Sequence, residues 1–329
     1  METRFVVSAS PHIRDLENSR KVMWWVVLAL APAAVASIYI FGWRSLLMMA
    51  VSVLACALTE AASQKLFHRE ITAFDGSAVV TGLLLAFTMP ASSPIWMVLV
   101  GAAVAIFLVK QLFGGLGYNI FNPALAARAV LLSSWPVSMT AWSQPVASWV
   151  KVDLVTAASP LGLMKEAARA GTGFQAPDLS SLLLGTVPGS LGETCKVALL
   201  AGAALLLAKR IIDWRLPAIF IGALAALSLA LGRNPLFEIL SGGVILGAFF
   251  MATDMVTSPT TKNGRLIFGA GCGLLTGLIR AYGGFPEGVC YAILFMNCLT
   301  PLIEQYVRPR RFGARAQKAA RGVKKEVVR

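Results

Sequence analysis

Ten stretches of this chain are apolar enough to lie in a bilayer, and no other feature limits its possible folds as tightly. They run at about 22–42, 45–63, 75–90, 94–110, 120–134, 196–208, 215–232, 235–252, 265–280 and 286–306. In hydrocarbon every backbone N–H and C=O must be satisfied within the protein, so such stretches form helices. A spanning helix needs about 20 apolar residues. An all-α polytopic membrane protein is therefore expected. The mean hydropathy of +0.71 agrees, as does a charged share of only 14%, against roughly a quarter in ordinary soluble domains. Segments 75–90, 120–134 and 196–208 fall short of a full crossing and read as half-helices or as helices enclosed by the bundle. The first twenty residues are polar and mixed in charge, so no cleavable signal peptide is expected.

The positive-inside rule orients these segments. With the N-terminus in the cytoplasm, 21 Lys and Arg fall on the inner side and 7 on the outer side, with Arg128 left inside a span. That imbalance fits ten spans with both termini cytoplasmic, in the cell (inner) membrane, and places residues 135–195 on the outer face. The net charge of +13 does not read as nucleic-acid binding, because nine of the cations lie between Arg308 and Arg329, directly after a span. Such a tail suits anionic lipid or a partner subunit.

The chain repeats itself. Lys110-Gln-Leu-Phe-Gly-Gly115 matches Arg280-Ala-Tyr-Gly-Gly284, and Gly82-Leu-Leu-Leu-Ala-Phe-Thr88 matches Gly247-Ala-Phe-Phe-Met-Ala-Thr253, in the same order and at similar spacing. Gly pairs are also common helix ends in membrane proteins. Two halves of five helices each have opposite orientations in the bilayer, an inverted repeat that places sites where the halves meet. The expected organisation is a cytoplasmic segment 1–21, a first repeat 22–134, an outer loop 135–195, a second repeat 196–306 and a basic cytoplasmic tail 307–329.

Charges within a bilayer are costly and mark function or pairing. The candidates are Glu60, Asp75, Arg128, Glu238 and Asp254. Asp75 precedes a short span and suits a helix cap. Asp254 follows a span, where negative charge is disfavoured, so it and Glu60 are candidates for an ion pathway. Arg128 either holds an anionic phosphate or a ring oxygen of a bound cofactor, or snorkels to the surface. The five cysteines form no C-x-x-C pair and read as small packing residues. His12 and His68 are the only histidines, so a haem or zinc site within the chain is not expected. Gly114, Gly115 and Gly117 permit close backbone approach but lack the context of a phosphate loop. No dinucleotide fingerprint or cluster motif is present. Trp135, Trp142 and Trp149 could wall a flat ring, although interfacial Trp is normal in membrane proteins.

Within the outer loop, Asp153-Leu-Val-Thr156-Ala157-Ala-Ser159 is similar to the Asp-x-x-(Ser/Thr)-Gly-Ala-Thr motif read by flavin transferases. Ala157 stands where Gly is usual and Ser159 where Thr is usual, and serine offers the same nucleophilic oxygen. The resemblance implies covalent FMN on Ser159, with Asp153 and Thr156 read by the transferase. The same stretch, followed by Pro160, also suits a plain turn.

Asp75-Gly-Ser-Ala-Val-Val-Thr-Gly-Leu-Leu-Leu-Ala-Phe87, Asn119-Ile-Phe-Asn-Pro-Ala124, Gly189-Ser-Leu-Gly-Glu-Thr194, Asp213-Trp-Arg-Leu-Pro217 and Phe250-Met-Ala-Thr-Asp-Met-Val-Thr-Ser-Pro259 resemble the D subunits of Rnf electron-transport complexes. The B subunits of Na⁺-translocating NADH:quinone reductases are their close relatives. The resemblance runs from about residue 10 to 312. It implies a membrane flavoprotein subunit of an ion-translocating ferredoxin:NAD⁺ oxidoreductase. Such a protein relays electrons coupled to Na⁺ or H⁺ movement, with other subunits of the complex as partners and a non-covalent flavin such as riboflavin in the membrane. The alternative is a channel or carrier on the same repeat without a redox role.

Overall fold

A computed structural model describes residues 18–72, 74–145, 156–172, 174, 176–285 and 287–308. Asp153, Trp149 and all but the first cation of the basic tail lie outside these residues. The described chain is mostly helical. Helices α1 (Ser19–Phe41) and α2 (Trp43–Leu66) are joined at Gly42, whose φ of +77° a residue with a side chain would resist. Among the described residues these are the two helices long and apolar enough to cross a membrane on their own. Then come α3 (Ser77–Phe87) and α4 (Ile95–Ala103), the latter continuing as a π-helical stretch, π1 (Val104–Gln111), and α5 (Pro123–Ser134).

The following segment holds α6 (Pro136–Thr140), short strands β1 (Trp142–Ser143) and β2 (Thr156–Ala157), α7 (Pro160–Ala170) and α8 (Leu179–Leu184). The strands pair antiparallel, Trp142 opposite Ala157 and Ser143 opposite Thr156. The chain returns through α9 (Lys196–Ala208), α10 (Arg215–Ala230), α11 (Pro235–Leu240), α12 (Val244–Leu246) with its π-helical continuation π2 (Gly247–Met251), α13 (Lys262–Tyr282) and α14 (Val289–Tyr306).

One expected span is broken. Residues 235–252 form α11 and then α12–π2, parted at Ser241-Gly242-Gly243, where Gly242 takes a φ of +63°. The apolar character of the run hides this break, although the Gly pair is the residue type that permits it. Helix α3 is likewise only 11 residues long. Both short helices end inside the protein, and their last carbonyls need donors. Gly192 and Leu191 N–H groups donate to Phe87 O (2.9 Å) and Met89 O (3.1 Å), while Asn122 Nδ2 donates to Met251 O (3.3 Å).

Close helix packing rests on small residues, as in many membrane bundles. A Cβ on Gly202 of α9 would run into the Ala29 carbonyl of α1, and one on Gly273 of α13 into the Phe220 carbonyl of α10. The main core, including Met48, Phe87, Leu125, Phe220 and Phe268, runs through both parts of the chain. A second small cluster, Leu161, Leu182 and Phe237, seats α7 and α8 on α11. Lys165 adds to this docking by donating to Phe285 O (3.0 Å) and to Gly283 O. Between α9 and α10, Asp213 takes Arg215 N–H (3.1 Å) and Arg265 (3.2 Å). Partial burial pushes its carboxyl up, and these bonds more than reverse that, leaving it below the usual range.

Candidate functional site

The candidate residues separate into two places. One is a slot between α1, α3, the start of α5, π2 and the segment 253–256. It offers about 800 Å³ counting its mouth, or about 90 Å³ once a water-sized margin is kept from its walls. Met23, Leu84, Leu206, Ile211, Ile212 and Phe250 give it apolar sides. Polar groups converge at its edges: Ser77, Thr81, Lys110, Asn119, Asn122, Thr253 and Asp254.

Local sequence explains why these polar groups stay in place. Asn122 caps α5, its Oδ1 accepting from Ala124 and Leu125 N–H groups, with Pro123 pre-set for the first helical position. Asp75 Oδ1 accepts from Ser77 N–H (2.7 Å) and Ser77 Oγ (2.6 Å), so it ties down the first turn of α3 from the position before the N-cap, Gly76. Asp254, set just after π2, accepts from Val256 N–H (3.4 Å) and Thr257 Oγ1 (3.2 Å). Among the described residues it has no cationic partner. Thr253 turns its hydroxyl back to Phe249 O (2.6 Å).

Glu60 does not reach the slot. It lies behind Lys110, which pairs with it at 2.7 Å and donates to Ser77 Oγ at 2.5 Å. Gln111 (3.0 Å) and Gln64 (3.4 Å) also donate to the carboxylate. Both members of the pair are at most 2% exposed. The sequence places Lys110 at the inner end of the 94–110 span, among the cytoplasmic charges; the structure makes it a buried counter-charge.

Arg128 joins the other place. It neither snorkels nor stands free for a ligand: its guanidinium is buried and clamped by Glu193 (3.0 Å) and Glu287. Next to it Arg280 holds Glu238 (2.8 Å) and the carbonyls of Glu238 and Ser241, while Arg233 takes the other Glu238 oxygen (3.2 Å). Lys196 Nζ donates to Gly242 O (2.7 Å) and Glu193 O. Lys196 and Arg280 thus lie inside the protein and not among the loop charges. Setting these two and Lys110 aside moves the charge imbalance from 21 against 7 to 20 against 5. Glu193 and Glu287 are absent from the sequence-derived candidates because Glu193 stands outside every apolar run and Glu287 stands at the very edge of one, 286–306. The Gly189–Thr194 motif is the one available signal for Glu193.

Ser159 borders this charged cluster. It shares a cleft with Glu193, Thr194, Lys196, Ser241, Gly242 and Glu287. Its Oγ caps α7, accepting from Gly162 N–H (3.2 Å), and the residue is buried. The turn reading of Ser-Pro is therefore realised as a helix cap with Pro at the first position. Thr156 lies on exposed β2, three residues from Ser159 along the chain. Trp142 is buried under the same segment, and Trp135 stacks edge-on against Trp96 at 5.0 Å.

Buried ion pairs, short helices ending inside the protein and a polar-edged slot define a helical membrane protein with internal charge networks. The chain belongs to the NQR2, RnfD, RnfE family, whose profile matches residues 6–313. It is 45% identical to the D subunit of the proton-translocating ferredoxin:NAD(+) oxidoreductase complex of Clostridium ljungdahlii, over 94% of this chain and 97% of that one. It is 47% identical to the D subunit of the Na(+)-translocating ferredoxin:NAD(+) oxidoreductase complex of Acetobacterium woodii, over 95% and 96%. To the D subunit of the ion-translocating oxidoreductase complex of Klebsiella pneumoniae it is 38% identical, over 94% and 99%.

Proposed function

We propose that this chain is the D-type membrane component of an ion-translocating ferredoxin:NAD⁺ oxidoreductase, working beside the other subunits of that complex in the cell membrane. The observation that carries this reading is the near-full-length identity of 45–47% to two proteins of that name. The structure adds support, because polar groups and buried charges converge at two separate places.

One place suits a covalent flavin. Ser159 is a hydroxyl in a flavin-transferase-like motif, and its attachment to FMN forms an Oγ–phosphorus bond as AMP leaves FAD. Asp153 and Thr156 are the residues the transferase reads. The other place, the slot edged by Asn119, Asn122 and Asp254, suits a non-covalent flavin such as riboflavin: apolar walls take a flat ring and the polar edge takes its nitrogen and oxygen atoms. A flavin bound there supplies one-electron and two-electron redox capacity. The chain's own residues hold and orient it, and Asp254, with no ion-pair partner among the described residues, is the candidate for a coupled Na⁺ or H⁺. Glu60 is buried against Lys110 and acts through that lysine.

The finer architecture belongs to the same reading. In the second half, Arg280 pairs with Glu238 much as Lys110 pairs with Glu60 in the first, each basic residue lying shortly before a Gly pair. Short helices α3 and α12–π2 both end in a Thr whose hydroxyl bonds back within its own helix. These parallels favour two inverted five-segment repeats, with the 135–195 loop on the outer face, both termini in the cytoplasm and the basic tail against anionic lipid.

The test is complementation. Membranes lacking this chain should lose ferredoxin-driven NAD⁺ reduction and its linked ion uptake, and regain both with the wild-type chain. Ferredoxin-driven NAD⁺ reduction unaffected by its loss would point instead to the channel or carrier reading of the fold, with no place in the redox path.

A further inference from the structure

Lys196 is buried at the start of α9 with 3% exposure, yet its ammonium meets only the carbonyls of Glu193 and Gly242. Among the described residues it forms no ion pair. An enclosed ammonium held by neutral acceptors alone is costly. Beside it, two hydroxyls, Thr194 Oγ1 and Ser241 Oγ, and one carboxylate oxygen, Glu193 Oε2, are also buried and have no partner among the described residues. Buried polar atoms are rarely left so. Lys196, Thr194 and Ser241 all line the cleft that Ser159 borders, where the N-terminus of α7 begins.

We propose that this cleft is a built receptor for a single phosphodiester, with Lys196 as its counter-charge and the hydroxyls of Thr194 and Ser241 as its donors. The proposal rests on the reading of Ser159 as the flavinylated residue. The unpartnered hydroxyls are its strongest support, and the charge count agrees. The cluster holds four cations, Arg128, Lys196, Arg233 and Arg280, against three carboxylates, Glu193, Glu238 and Glu287. Arg128 serves both Glu193 and Glu287, and Arg233 and Arg280 both serve Glu238, so the cluster as a whole carries one cation more than it has carboxylates. A phosphodiester carries one negative charge and makes the count even. Its non-bridging oxygens accept from an ammonium and from hydroxyls, and a helix N-terminus adds to their stability.

Size agrees with this division of labour. The cleft keeps about 20 Å³ once a water-sized margin is left, room for one or two water-sized atoms. That admits phosphate oxygens and excludes a three-ring flavin, whose ring must lie beyond the mouth. Glu193 and Glu287 also line the cleft. Arg128 holds both, which offsets part of their charge. Lys196, Thr194 and Ser241 are thus positioning residues: they fix the tether, and through it the ring.

The experiment compares full-length protein expressed with and without a flavin transferase. In wild type, flavinylation should raise the thermal midpoint, since it fills an unmet charge. Lys196→Met should lose that increment, and its unmodified form should be at least as stable as unmodified wild type. Lys196→Arg should restore the increment. In the native protein a phosphodiesterase should release flavin from Lys196→Met about tenfold faster than from wild type, as expected for loss of one charge-assisted hydrogen bond. The pair Thr194→Val with Ser241→Ala, which leaves every charge in place, should shift release the same way. An unchanged increment and unchanged release in Lys196→Met and in the Thr194/Ser241 pair would overturn the receptor. Flavin retained in Ser159→Ala would instead overturn the attachment site itself.

Discussion

Replacing Lys110 by Met leaves Glu60 buried without its cation. The structure gives the size of the effect. The pair is 2.7 Å apart, with both side chains at most 2% exposed. Removing one member of a buried pair costs about 3–5 kcal/mol, and insertion scales give about 2.5–3.5 kcal/mol for an isolated charge at bilayer depth. Gln111 remains at 3.0 Å and Glu60 can take up a proton, so about 3 kcal/mol is the expected cost. At about 2–4 °C per kcal/mol, the apparent midpoint should fall by about 6–12 °C. Buried Cys56, Cys272 and Cys290 supply the assay: a thiol-reactive dye in detergent reports their exposure on heating, with exposed Cys298 first replaced by Ser. Glu60→Met alone should fall by a similar amount. The double replacement should recover to within about 1 kcal/mol of wild type, because two apolar side chains leave no unmet charge. Single changes that each move the midpoint by less than about 2 °C, or a double change equal to their sum, would refute the idea of a dry, mutually dependent pair.

Three further outcomes follow from the same account. Asp153→Ala should abolish flavinylation while the protein still inserts, and Ser159→Thr should keep it, both read as flavin fluorescence on a denaturing gel; an unmodifiable Thr variant would count against the motif. Single cysteines at Lys165 and Lys318 should label differently with an impermeant reagent in intact cells, only position 165 reacting; labelling of 318 would reverse the proposed sidedness. Asp254→Asn should leave covalent FMN intact while slowing ferredoxin-driven NAD⁺ reduction or the linked ion uptake in assembled membranes; wild-type values for both would reduce Asp254 to a turn residue.

Hydropathy makes the helices legible, since an apolar run in hydrocarbon has one local solution. It does not reveal the break at Ser241-Gly242-Gly243, because apolarity reports burial and says nothing of where a helix stops. Lys110, Lys196 and Arg280 are misplaced by sequence for the converse reason. A cation beside an apolar run looks like the start of a loop unless its carboxylate or carbonyl partner is known. Those partners lie far along the chain: Glu60 is 50 residues from Lys110, and Glu238 is 42 from Arg280. Arg128 is visible as an anomaly in a span, but its fate depends on Glu193 and Glu287, 65 and 159 residues away. Motif order carries the family reading, and local chemistry carries the turn held by Asp75 and the cap of Asn122. Long-range charge pairing needs the fold.

The most direct measurement is the mass of the peptide containing Ser159, taken from protein produced together with a flavin transferase. The account predicts an addition equal to FMN less water, fragmentation that places it on Ser159, and its complete absence in Ser159→Ala. An unmodified Ser159 peptide from a preparation in which a known flavinylation target is fully modified, or a flavin found on another hydroxyl, would contradict it.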